Sequence, residues 1–126
     1  MICIVACIAA HVVLADAAVA APSPVQPAFG NTIVSTYPDG RKAMLWLRPD
    51  GDYSIKGRRG DRSSGHWSIR GAKLCLKQAR PFAVPFNFCS PFPTSLTSGS
   101  WTAKAFTGET VLLQLTPGDA GSGPAN

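Results

Sequence analysis

The chain has 126 residues, 45% hydrophobic and 15% charged, which points to one domain and leaves no room for two independent cores. Twelve glycines and eleven prolines imply many turns and little helix. The net charge of +5 is too small, and too scattered along the chain, to mark a nucleic-acid footprint.

Residues 1–15 form an apolar run of the length of a signal-peptide core, shorter than the roughly 20 residues a spanning helix needs. Ala18-Val19-Ala20 then supplies the small-x-small pattern of signal peptidase, and Pro22 and Pro24 keep the following chain extended. Cleavage is expected after Ala20, with export to the periplasm or the medium and no stable membrane span afterwards. The leader lacks a Lys or Arg before its apolar run, as a start codon assigned too far downstream would produce. Ile4-Val5-Ala6-Cys7 loosely matches a lipoprotein box, but no basic residue precedes Cys7, so cleavage is preferred to lipidation or an uncleaved anchor. Removal of the leader takes Cys3 and Cys7 with it. Cys75 and Cys89 remain, and an even pair in an oxidising compartment is expected to be a disulfide, contributing about 3 kcal/mol by closing a loop of about 15 residues. A metal site is not expected, because there is no Cys-x-x-Cys and His66 is the one histidine left.

Residues 21–29, with Pro22, Pro24 and Pro27, read as an extended linker. Beyond Gly30 the apolar residues alternate with a period of two in short runs. Asn31–Tyr37 is a first strand and Pro38-Asp39-Gly40 a turn; Lys42–Arg48 is a second strand and Pro49-Asp50-Gly51 a second turn. Tyr53–Arg58 follows, then a polar hairpin tip over residues 58–65. His66–Arg70 and Lys73–Gln78 are the next strands, the latter with Leu74 and Leu76 on one face and Cys75 on the other. Residues 79–99, with Pro81, Pro85, Pro91 and Pro93, read as a long connection tied back by Cys89. Ser100–Phe106 and Thr110–Thr116 form a closing hairpin, and residues 117–126 read as a disordered tail. The expectation is an all-β antiparallel meander of about seven strands over residues 30–116, closed as a small barrel or half-barrel. A two-sheet sandwich is the alternative; closure is preferred because it removes exposed sheet edges.

Leu47-Arg48-Pro49-Asp50-Gly51-Asp52-Tyr53, followed by Gly65-His66-Trp67-Ser68-Ile69 and Lys73-Leu74-Cys75-Leu76, resembles a group of small exported bacterial proteins with a lipocalin-like β-barrel. The match spans roughly residues 37–90. The resemblance implies the barrel and no activity, since most members are of unknown role.

The parts that catalysis needs are largely missing. His66 is the one candidate base of the exported chain, it stands at the start of a strand beside Trp67, and no Gly-x-Ser-x-Gly or phosphate-binding glycine loop is present. A paired-carboxylate hydrolase would have to use Asp52 with Asp61, or Glu109, because Asp39 and Asp50 belong to turns and Asp119 to the tail. No catalytic residue and no cofactor are assigned. Lys56, Arg58, Arg59 and Arg62 make a basic stretch without the interleaved aromatics that nucleic-acid stacking uses. It reads as a solvated tip, as an exported loop drawn to anionic envelope polymers or phospholipid head groups, or, through Arg58 and Arg59, as a docking site of an envelope inhibitor or adaptor. Arg59-Gly60-Asp61 spells an adhesion tripeptide, too short a match to use. Phe82, Phe86, Phe88 and Phe92 cluster among the prolines, where they would cap one end of the barrel, line a pocket or form an apolar patch. The leading expectation is a non-enzymatic envelope module that binds a small apolar ligand or a partner protein through Trp46, Trp67 and these four phenylalanines.

Overall fold

The computed structural model describes residues 23–93 and 99–121. These form one eight-stranded antiparallel sheet, curled into a nearly closed barrel: β1 (Thr32–Thr36), β2 (Lys42–Leu47), β3 (Asp52–Lys56), β4 (Arg62–Arg70), β5 (Lys73–Arg80), β6 (Phe88–Pro91), β7 (Ser100–Lys104) and β8 (Thr110–Thr116). The ladder runs β6-β5-β4-β3-β2-β1-β8-β7. Its two terminal strands, β6 and β7, meet at a seam without pairing. The meander therefore takes the barrel form of the expectation, and among the described residues no second sheet stacks on the first. The proposed leader lies outside the described residues.

Four hairpin turns share one construction. In each, a type I turn ends in a glycine of positive φ, and the residue before the turn hydrogen-bonds with the residue after it, as Tyr37 N–H does with the Arg41 carbonyl at 2.9 Å. Pro38-Asp39-Gly40 and Pro49-Asp50-Gly51 encode this outright, with Pro presetting φ and each Asp accepting a backbone N–H two residues on. The β3–β4 turn is built the same way around Gly60. The polar tip is thus shorter than residues 58–65, and β4 begins at Arg62 rather than His66.

An eighth strand emerges from the segment read as a connection. Phe88-Cys89-Ser90 stands free of proline, pairs with β5 from Leu76↔Phe88 to Lys73↔Pro91, and ends on Pro91. Proline is tolerated there because β6 is an edge strand. Cys75 and Cys89 are directly opposed on β5 and β6 and form the expected disulfide.

Both flanking segments differ from expectation. Residues 23–29 are not a free linker: a short 3-10 turn, Gln26–Ala28, pushes Val25 and Ala28 into the lower end of the barrel, where they are 0% and 1% exposed. They pack there with Ile33, Leu47, Tyr53 and Leu74. Burying Val25 alone stabilises by about 2 kcal/mol, enough to hold a segment whose composition shows no periodicity. Residues 117–121, expected to be disordered, lie as a strap over the outer face. Thr32 Oγ1 donates to the Gly118 carbonyl at 2.7 Å, Gly118 N–H donates to Asn31 Oδ1 at 3.0 Å, and Arg62 donates to the Gly121 carbonyl at 2.9 Å.

The β4–β5 pairing slips between Ser64 and Gly65, so that Gly65 faces Gln78 while Ser64 faces Arg80. A Cβ on Gly65 would run into the Lys77 carbonyl and meet Ala79 N at 3.0 Å, contacts that only backbone movement could relieve. Gly65→Ala is therefore expected to destabilise by about 1–3 kcal/mol through overpacking, read as a lower urea midpoint. A change under about 0.5 kcal/mol, the usual surface range, would remove this role for the bulge.

Candidate functional site

Strand direction sorts the side chains between two ends. The β1–β2, β3–β4 and β7–β8 turns and the 81–87 loop make the upper end; the 3-10 plug, the β2–β3 and β4–β5 turns and Phe92 make the lower one. Along the interior, positions of β1–β3 and β5–β8, with Val25 of the plug, line a cavity of about 220 Å³. Its wall is apolar, with Leu45, Leu113 and Trp101 prominent, and its polar side chains include Ser35, Tyr37 and Ser90. A second cavity of about 480 Å³ lies beneath the 81–87 loop, walled by Tyr53, Val84 and Phe86. The two share Ile55, Leu76, Phe88 and Phe106 and so adjoin inside one barrel.

Sequence reasoning missed Trp101, in the wall of the first cavity, and also Phe106. Phe106 stacks on Phe86 at 6.0 Å and meets Phe88 edge-on at 5.9 Å, which joins the β7–β8 turn to the proline-rich loop across the seam. The four clustered phenylalanines separate. Phe82 and Phe86 are exposed at the upper end and border the second cavity, Phe88 lines both cavities, and Phe92 packs into the lower core while bordering the first cavity. Spacing from Pro81 and Pro85 could not have revealed this, because β6 carries the chain from one end to the other between Phe88 and Phe92.

Neither tryptophan of the expected contact set borders either cavity. Trp46 points to the outer face, is 2% exposed beneath the strap, and donates its indole N–H to Thr32 Oγ1 at 2.8 Å. Trp67 faces inward at the lower end, packs on Phe29 at 5.8 Å and donates to the Arg48 carbonyl at 2.8 Å.

At the upper end Arg58 acts as a clasp. Its guanidinium makes two hydrogen bonds to Glu109, at 3.0 and 2.9 Å, approaches Asp39 at 3.7 Å, and covers the Tyr37 ring at 4.2 Å. One side chain thereby ties three turns together. The hydrogen bonds to Arg58 hold the Glu109 carboxyl below its ordinary range, and the same bonds raise Arg58. Burial raises the Tyr37 and Tyr53 phenols. With Arg58 committed to Glu109 and Arg62 to the strap, Lys56 and Arg59 are the exposed cations of the basic stretch.

Of the groups considered for hydrolysis, Asp52 and His66 line one cavity of about 490 Å³ with Arg48 and Arg80, while Asp61 and Glu109 stand outside it. Asp52 and Asp61 flank β3 at opposite ends, roughly 17 Å of strand apart. Glu109 is bound to Arg58, and His66 Nδ1 pairs with Asp52 at 2.8 Å on the outer face with the imidazole 73% exposed. Among the described residues no group of three His, Cys, Asp or Glu side chains could hold a metal ion. No family model, curated protein or solved structure matches the chain.

Proposed function

We propose that this protein is a non-enzymatic, exported barrel that takes a small apolar ligand into its interior. The observation that carries the reading is the pair of adjoining cavities, about 220 and 480 Å³, walled almost entirely by apolar side chains. A small barrel whose interior is filled by its own side chains would leave no such space, and ligand sites commonly span about 300–1,000 Å³. The few inward hydroxyls, Ser35, Tyr37 and Ser90, would orient a polar end of the ligand. Export is supported by the Cys75–Cys89 disulfide, since such bonds persist in oxidising compartments. The lipocalin-like resemblance of residues 37–90 agrees with this use of the fold. Docking on an envelope protein through Arg58 and Arg59 has less support, because Arg58 is spent inside the molecule.

Titration with N-phenyl-1-naphthylamine, an apolar probe that fluoresces when desolvated, tests the reading. Ala103→Leu adds volume to the wall of the smaller cavity and is expected to weaken probe binding about tenfold, a difference of 1.4 kcal/mol. Leu112→Gln, on the exposed outer face of β8, should leave it unchanged. Absence of probe binding, or equal binding by both variants, would overturn the proposal.

A further inference from the structure

The fold places two features at the upper end that sequence order keeps apart. Phe82 and Phe106 are 66% and 71% exposed there, and Phe86 beside them is 49% exposed. These rings come from the 81–87 loop and the β7–β8 turn. Large exposed aromatics on a chain this small are an apolar surface that water solvates poorly.

Around them the charge is one-sided. Arg41, Lys42, Lys56, Arg59, Arg80 and Lys104 are all exposed at the turns and strand ends of this end. The exposed carboxylates there are Asp39 and Asp61, while Glu109 is neutralised by Arg58. The lower end and the strap balance Arg48, Arg70 and Lys73 against Asp50, Asp52 and Asp119. Among the described residues the greater part of the positive excess therefore lies at the end that carries the exposed rings, with Lys77 in mid-strand and Arg62 on the strap making up the rest.

We propose that the upper end docks on an anionic lipid bilayer, with Phe82, Phe86 and Phe106 entering the headgroup layer and the surrounding Lys and Arg held over it. A protein surface complementary to six cations would need a matching acidic patch but would not need three protruding rings. A soluble polyanion would use the charge and leave the rings in water. A bilayer of anionic lipid uses both at once: rings gain from the interfacial layer, and each Lys or Arg gains from the negative surface potential. The inference goes beyond ligand binding and stands without it.

Co-sedimentation with phosphatidylcholine vesicles, with and without phosphatidylglycerol, tests it, using wild type and variants recovered from cells with the same N-terminus. Wild type is expected to partition onto the mixed vesicles at least about tenfold more strongly than onto phosphatidylcholine alone, and less so as salt rises. Two variants at exposed positions, Arg59→Glu with Lys104→Glu and Phe82→Ser with Phe106→Ser, are each expected to lose about tenfold. Phe106→Trp reports locally, and its emission should shift to the blue on mixed vesicles beyond any shift of wild type. Equal partitioning onto neutral vesicles would overturn the proposal. So would no loss in either variant, binding to heparin without binding to vesicles, or self-association that buries the rings in place of lipid.

Discussion

Trp46→Ala is expected to cost about 3–5 kcal/mol of folding free energy, the range for deleting a buried aromatic side chain. The residue is 2% exposed although its strand position turns it away from the barrel interior. Its cover is the strap: a Cβ built on Gly121 would lie 3.7 Å from the indole, and Gly118 shares Thr32 Oγ1 with the indole N–H. Removing the ring would take away the indole beneath Gly121, so the loss includes part of the strap's own docking. Trp46→Phe keeps most of the apolar area but drops the hydrogen bond to Thr32, and about 1 kcal/mol is expected for that change. Guanidinium unfolding monitored by circular dichroism gives both values. An alanine variant within 1 kcal/mol of wild type would mean that the strap does not seal the outer face.

Breaking the disulfide should have an effect of similar size. Cys75→Ala with Cys89→Ala is expected to lose about 3 kcal/mol, because the bond closes a short loop and restricts the unfolded chain. For a domain of this length that is a fall in Tm of roughly 12–24 °C. The bond also has a local task. β6 has only four residues and is paired on one side alone, so without the cross-link its ladder with β5 is the main restraint on that lip of the seam. Phe88, which stands in the wall of both cavities, belongs to that strand. Thermal scans of the wild type with and without reductant should reproduce the variant's shift, and a Tm unchanged by reduction would contradict this account.

Much of the frame was readable along the chain. The Pro-Asp-Gly turns could be placed because their chemistry is confined to three residues, and alternation such as Leu74-Cys75-Leu76 assigned faces correctly for the same local reason. Lys42–Leu47 resisted that treatment. Met44, Leu45, Trp46 and Leu47 form an unbroken apolar run, which cannot say which face a remote segment will cover. β6 was obscured by the prolines around it, and its pairing depends on β5 rather than on its own composition. The clasp joins Arg58 to Glu109 across 51 positions, and neither residue has a local feature that announces the other. The candidate site was legible only in part. Phe82, Phe86 and Phe88 were visible as a cluster, while Phe106 looked like an isolated residue at the end of a strand.

Read by itself, the sequence determined an all-β chain, its two Pro-Asp-Gly turns, and the pairing of Cys75 with Cys89. These depend on φ preferences, on a two-residue period, and on the expected loss of Cys3 and Cys7 with the leader. Tertiary structure alone decided that residues 23–29 plug one end, that residues 117–121 cover Trp46, and that six exposed cations share the other end with the exposed rings. Short Ala-, Pro- and Gly-rich segments have no periodic apolar face of their own. They acquire a place only when the curled sheet presents an unfilled end or an uncovered indole, and that surface exists only after strands distant in sequence have paired.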